Sequence, residues 1–107
     1  MKAVSIPALC LLLAALPALA DHPDAAQLAK SKQCLSCHAV DTQAYAPSFK
    51  DIARRHSAAD TGLLVRKIRA GGRQHWGEVA MPRTGTLGTP VTDAEARALA
   101  AWVLSQK

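Results

Sequence analysis

Residues 34–38 read Cys-Leu-Ser-Cys-His, a pair of cysteines three positions apart with a histidine directly after the second. This motif constrains the fold most, because whatever joins both thiols must lie within reach of one tight turn and of the adjacent imidazole. Three kinds of chemistry use such a pair: a redox dithiol, half of a structural zinc site, and thioether attachment of a haem. The rest of the chain decides among them.

The first twenty residues have the layout of a secretory signal peptide. Lys2 precedes an apolar run of about 15 residues, shorter than the roughly 20 that a membrane span needs. The run ends in the small-x-small sequence Ala-Leu-Ala at residues 18–20. We therefore expect cleavage after Ala20, export to the periplasm and no membrane insertion of the mature chain. The predicted domains are a signal peptide over residues 1–20 and a single domain over residues 21–107.

The mature chain would hold 87 residues (107 − 20), enough for one small domain. Its net charge would be +4, because removal of Lys2 leaves 12 of the 13 basic residues against 8 acidic ones. No block of like charge suggests nucleic-acid binding, and the mild positive balance fits an acidic protein partner better. Alanine is the commonest of its apolar residues, and alanines fill little volume. A chain this short has a marginal core, so we expect a large apolar cofactor to complete it.

Helical periodicity predicts an all-α chain without strands. The four predicted helices cover residues 24–35, 48–56, 60–70 and a last segment from residue 93. Gly71-Gly72 stops the third helix, and the capping box Thr92 to Glu95 begins the fourth. Residues 73–90 show no sustained period and are predicted to form a loop. A loop of that length in so small a domain is usually functional.

These features favour the haem interpretation of the cysteine pair. A structural zinc site needs four ligands, whereas the mature chain has only Cys34 and Cys37 and no pair of histidines at the usual spacing. A redox dithiol is expected within a βαβ unit, and a structural disulfide leaves His38 without a role. Thioether bonds from both cysteines to the vinyl groups of a haem place His38 beneath the iron as its proximal ligand.

Met81 is the candidate for the sixth iron ligand. It is the only methionine of the mature chain, and it lies in the irregular loop beside Pro82 rather than on a helical apolar face. A thioether ligand favours Fe(II), so a His/Met haem has a higher reduction potential than a bis-His haem. His75 is the one rival ligand, six residues before Met81.

The sequence resembles the small bacterial class I cytochromes c, of the cytochrome c-551 type, over nearly the whole mature chain. The resemblance is carried by CLSCH, by the stretch from Ala46-Pro47 to Ala53, by LVRKIRAGG, by W-G-x-x-A-M-P and by the closing TDAEARALAAWVLSQK. It implies about four short helices around one covalently bound haem c, with the first and last helices crossing. Leu28 and nearby alanines are expected to meet Leu99 and Trp102 there.

Matching positions imply further roles. Pro47 resembles the proline whose carbonyl accepts the proximal imidazole N–H. Trp76 resembles a tryptophan that donates to a haem propionate, and Lys67 falls where a basic residue often lies near that propionate. An asparagine that bonds the ligand sulfur in the family is missing after Met81-Pro82, in a segment about five residues longer than in the shortest members, and Thr84 or Thr86 is the candidate substitute. We expect His56 to pack near the haem edge and His22 to be solvated.

The resemblance implies a soluble, monomeric, periplasmic one-electron carrier rather than an enzyme. It would shuttle electrons from a quinol-oxidising complex to a terminal reductase, oxidase or peroxidase, and would dock through the haem edge. Two alternatives stay open: a haem subunit of a larger oxidoreductase, and a sensor in which the iron binds a small ligand. The basic residues expected around the docking surface are Lys50, Arg69, Arg73 and Arg83.

Overall fold

The computed structural model of the chain describes residues 2–5, 24–73, 77 and 79–107. The predicted cleavage site after Ala20 and residues His22, His75 and Trp76 lie outside these ranges. The described part contains four α-helices, which are α1 (Ala25–Ser31), α2 (Phe49–Arg55), α3 (Thr61–Ala70) and α4 (Asp93–Leu104). Two short 3₁₀ turns, Cys34–Ser36 and Ala58–Asp60, lie between them. The predicted all-α class is confirmed, since the only β pairing in the described residues is an isolated bridge.

Side-chain caps begin three of the helices. The Asp24 carboxylate accepts a hydrogen bond from the Ala26 amide at the start of α1, and the Ser48 hydroxyl accepts one from Asp51 at the start of α2. The predicted capping box of α4 is present: the Thr92 hydroxyl accepts from the Glu95 amide at 3.1 Å, and the Glu95 carboxylate accepts from the Thr92 amide at 2.9 Å. Such reciprocal bonds satisfy two donors that the helix itself leaves unpaired.

One local prediction was wrong, and one cap residue bonds elsewhere. The first helix was expected to reach Leu35, but α1 ends at Ser31 because Gln33 has a left-handed backbone (φ 67°), which starts a separate turn. Leu35 is therefore 44% exposed rather than part of the apolar face. Asp60 occupies the N-cap position of α3, but its side chain makes no cap bond there. It accepts instead from the Ser57 amide, which closes a capping box on the preceding 3₁₀ turn.

Helix α4 is the centre of the core and packs against α1, α2 and α3. The main buried cluster consists of small and medium residues from α1, α3, α4 and the loop before α4, namely Ala29, Val65, Val91, Ala96, Leu99 and Ala100. Leu28 and Trp102 pack against this cluster, so the predicted contact between the first and last helices is confirmed. On α3 the buried residue is Val65, whereas the neighbouring apolar residues Leu64 and Ile68 are only half-buried.

No helix within the described ranges is both long and apolar enough to cross a membrane.

Candidate haem site

The Cys-Leu-Ser-Cys-His motif forms one tight turn directly after α1. The amides of Cys37 and His38 both donate to the Cys34 carbonyl, at 3.3 Å and 3.0 Å. The turn is held against the following loop by the Ala46 amide, which donates to the Cys37 carbonyl at 3.0 Å. Both cysteines are half-buried and line the same cavity as His38. The sequence therefore places two thiols and an imidazole at one surface, as thioether attachment requires.

His38 is fixed in one tautomer by a backbone partner. Its Nδ1 lies 2.8 Å from the Pro47 carbonyl oxygen, and because a carbonyl only accepts, Nδ1 carries the proton. Nε2 is then the nitrogen left with a lone pair for a metal. Burial lowers the pKa of His38, and the bond to Pro47 opposes this only in part. The imidazole is thus neutral at pH 7, which is the form that binds iron.

Aromatic packing sets the plane of the His38 ring. Phe49, the first residue of α2, stacks on it with ring centroids 5.1 Å apart and an interplanar angle of 22°. Trp102 of α4 meets Phe49 edge-on, also at 5.1 Å and at 71°. Helical periodicity alone places Phe49 only on the apolar face of its helix. Its position two residues after Pro47, as the only phenylalanine of the chain, was the available indication of this role.

The Cys34 thiol does not have the character of a reactive redox thiol, and the two cysteines are not bonded to each other by a disulfide. Burial raises the pKa of the Cys34 thiol, whereas reactive dithiols depend on a lowered pKa that exposes a thiolate at neutral pH. These observations disfavour the dithiol and disulfide interpretations and leave both sulfurs available for covalent attachment.

Met81 reaches the same cavity from the opposite end of the sequence. The Met81 amide donates to the Gly72 carbonyl at 2.8 Å, and the Gly72 amide donates to the Met81 carbonyl at 3.0 Å, which makes the isolated antiparallel bridge. Gly71 is buried beside this pair, and its backbone (φ 72°, ψ −164°) is one that essentially only glycine adopts. The end of α3 and the methionine are therefore locked to each other through the backbone.

The cavity has the chemistry of a prosthetic-group site. It has a volume of about 240 Å³ and is lined by all four predicted donors, Cys34, Cys37, His38 and Met81. The walls between them are largely apolar, with contributions from all four helices. Two thiols, a neutral imidazole, a thioether and apolar walls are the set that a covalently bound haem requires.

The remaining predicted residues divide into three groups. Pro47, Lys67, His56, Arg73, Arg83 and Thr84 line the cavity, whereas Lys50, Arg69 and Thr86 do not. Lys50 and Arg69 are instead paired with acidic side chains, at 2.5 Å with Asp41 and at 3.7 Å with Asp93. Trp76 and its expected contact with a propionate lie outside the described residues. Lys32, which the sequence analysis did not single out, also lines the cavity.

Comparisons with known proteins identify the family of the chain. The sequence profile of the family described as cytochrome c matches residues 23–107. The chain belongs to the cytochrome c family, whose members carry covalently attached haem c with iron, and it is an electron carrier rather than an enzyme.

Individual relatives show which kind of cytochrome c the chain resembles. A cytochrome c-551 from Stutzerimonas stutzeri is 43% identical over the full length of both chains. A cytochrome c-551 from Azotobacter vinelandii is 42% identical over 76% of this chain and 95% of its own. The crystal structure of wild-type Nitrosomonas europaea cytochrome c552 superposes with a TM-score of 0.69 at 38% identity, covering 77% of this chain and 99% of that one. These matches place the protein among the small class I cytochromes c of the c-551 type.

Proposed function

We propose that the chain binds its haem through thioether bonds from Cys34 and Cys37, with His38 and Met81 as the axial ligands of the iron. The observation that carries this assignment is the shared cavity, to which a single tight turn brings three donors and the Gly72–Met81 bridge brings the fourth. The Pro47 carbonyl holds His38 in the tautomer that leaves Nε2 for the metal.

The haem supplies a one-electron Fe(III)/Fe(II) couple, and the residues around it tune that couple. The thioether of Met81 is soft and uncharged, and the apolar walls exclude water, so both features favour the less charged Fe(II) form. The hydrogen bond from His38 to the Pro47 carbonyl and the backbone bonds between Met81 and Gly72 hold both ligands in place in either oxidation state of the iron. Electron transfer then requires little movement of the protein.

The mouth of the cavity fits a transient redox partner. Three exposed apolar side chains line it, Tyr45, Val79 and Leu87, which are 77%, 65% and 50% exposed. Arg73 and Arg83 are exposed beside them, and no Asp or Glu of the described residues lines the cavity. We propose that an acidic partner docks at this edge, with charge raising the encounter rate more than the affinity. Lys67 and Trp76 are proposed to face the haem propionates.

We further propose that residues 1–20 are a signal peptide cleaved after Ala20 and that the mature protein is a periplasmic monomer. The family profile begins at residue 23, and the match to the Azotobacter vinelandii protein spans nearly all of that chain but leaves about a quarter of this one uncovered. In the periplasm the carrier would accept electrons from a quinol-oxidising complex and pass them to a terminal reductase, oxidase or peroxidase. The mass of the purified periplasmic protein tests the cleavage site.

The ligand assignment is tested by Met81→Ala, with His75→Ala as the matched control. We expect the oxidised wild-type protein to show the weak far-red band of a sulfur-to-iron bond, and the reduced protein to resist carbon monoxide. Met81→Ala should abolish the band, lower the reduction potential and admit carbon monoxide, whereas His75→Ala should keep the band. A wild-type protein that binds carbon monoxide readily would instead favour a small-ligand sensor.

A further inference from the structure

Lys32 joins three parts of the fold that carry the site. It follows α1 directly, and its side chain is only 13% exposed. The Nζ atom donates to the Thr89 hydroxyl at 3.0 Å and to the Pro90 carbonyl at 2.9 Å, and it lies 3.5 Å from the Glu95 carboxylate. An ammonium group has three donors, so these contacts use the full capacity of the lysine. A surface lysine that only solvates the protein would not be enclosed in this way.

The loop that Lys32 holds is the one that continues from Met81. At the near end of the loop, the Thr84 amide donates to the Arg69 carbonyl at 3.1 Å. At the far end, the Val91 amide donates to the Thr84 hydroxyl at 2.6 Å, which brings residues 84 and 91 together. Thr89 and Pro90 lie just before that closure. The fixed end at Lys32 is therefore connected to Met81 through a short, closed segment.

We propose that Lys32 is a positioning residue for Met81, which it serves by holding the loop of residues 82–91 against the end of α1. The inference rests on the proposed ligand role of Met81. Lys32 lies two residues before Cys34, so its contacts tie the Met81 loop to the same stretch of chain that carries the thiols. Hydrogen bonds from a charged donor with little exposure contribute more than neutral surface bonds. Without them the loop opens more often and the sulfur leaves the iron more often.

The experiment measures how readily imidazole displaces Met81 in the oxidised haem-loaded protein. Imidazole binds iron only while the sulfur is away, so its apparent affinity reports the open fraction. Loss of the Lys32 bonds in Lys32→Ala should raise that affinity roughly ten-fold, with loss of the far-red band as the readout. Lys30→Ala, which removes an exposed lysine from the last turn of α1, is the matched control and should leave the affinity unchanged. Lys32→Arg, which keeps a charged donor, should restore most of the wild-type value.

Two further results separate the alternatives. Glu95→Gln removes the charge near Lys32 but keeps an oxygen for the Thr92 amide, and we expect it to change the imidazole affinity less than two-fold. An effect as large as that of Lys32→Ala would assign the role to the ion pair and overturn the inference. So would an unchanged affinity in Lys32→Ala, even if that variant unfolds at a lower temperature. A wild-type protein without the far-red band would instead refute the ligand role of Met81 itself.

Discussion

Gly71 gives the sharpest test of how the fold holds Met81. A β-carbon added at Gly71 would overlap the Met81 carbonyl oxygen and would lie 2.8 Å and 2.9 Å from the carbonyl carbon and oxygen of Pro82. These neighbours are backbone atoms, which cannot turn away as a flexible side chain can. The φ of 72° adds strain of its own for any residue with a β-carbon. Gly71→Ala must therefore displace the Gly72–Met81 bridge or distort the end of α3.

The magnitude follows from these two costs. A non-glycine residue in this backbone region costs about 1–3 kcal/mol, and forced overpacking costs about as much again. We expect Gly71→Ala to lower the free energy of unfolding by about 3 kcal/mol, which for a domain of this size lowers the melting temperature by roughly 12–24 °C. Because the clash falls on Met81, the far-red band should weaken and the affinity for imidazole should rise as well.

Two other glycines serve as controls. Gly62 lies in α3 with only Arg66 Nη1 within reach of an added β-carbon, at 3.8 Å, so Gly62→Ala should stabilise the helix by about 0.5–1 kcal/mol. Gly77 has a φ of 105° with open space around it, so Gly77→Ala incurs strain without a clash. It should destabilise the protein yet keep the band. A Gly71→Ala protein with the same melting temperature as Gly62→Ala, or with full Met81 ligation, would refute this expectation.

Three further changes test other contacts. Phe49→Ala removes the ring stacked on His38 and should lower stability by about 3–5 kcal/mol in denaturant titrations; a loss below 1 kcal/mol would contradict the packing. Thr84→Val leaves the Val91 amide without its acceptor and should lower stability by about 1–3 kcal/mol by the same measurement, whereas Thr86→Val, at an exposed site, should have no effect. The pKa of Glu95 is lowered, chiefly by the hydrogen bond from the Thr92 amide at the N-cap of α4, so the stability that its carboxylate contributes is present at neutral pH and is lost as the pH falls through and below the ordinary titration range of a glutamate. Glu95→Gln should flatten that acid limb in melts across this range, and an unchanged slope would exclude the carboxylate as its source.

The helices were predictable where capping residues and periodicity agree. The α4 start follows from Thr92 and Glu95, and the α3 end follows from Gly71, because each of these residues satisfies or releases backbone groups of its own neighbours. The error at Leu35 has the same local origin. Apolar spacing continued past the point where Gln33 turned left-handed, and no residue in that stretch is an evident helix breaker. The spacing of apolar residues does not reveal a turn that belongs to the cysteine motif.

The sequence indicates the candidate haem-binding residues but not the residues that hold them in place. Cys34, Cys37 and His38 lie within five residues of one another, and Met81 is the only methionine besides Met1, so their chemistry alone identifies them as candidates. Lys32 is different, because its contacts at Thr89 and Pro90 lie 57 and 58 residues away. Such pairings arise from the packing of α1 on α4, and nothing in the local sequence marks one lysine among thirteen basic residues. The close approach of the Met81 and Pro82 backbone to Gly71 could not be predicted for the same reason.

The hydrogen bonds at Met81 and at Thr84 hold Met81 in place whatever the length of the loops before and after it. The pairing of Gly72 with Met81 closes residues 73–80 at their base, and the bond between Thr84 and Val91 does the same for residues 85–90. For a flexible loop closed at its base, doubling the length costs only about 0.6 kcal/mol of chain entropy. Insertions in either loop can therefore accumulate while the methionine stays in register with α3. Length variation among such chains would fall in these two loops, and the four residues between them would keep their spacing.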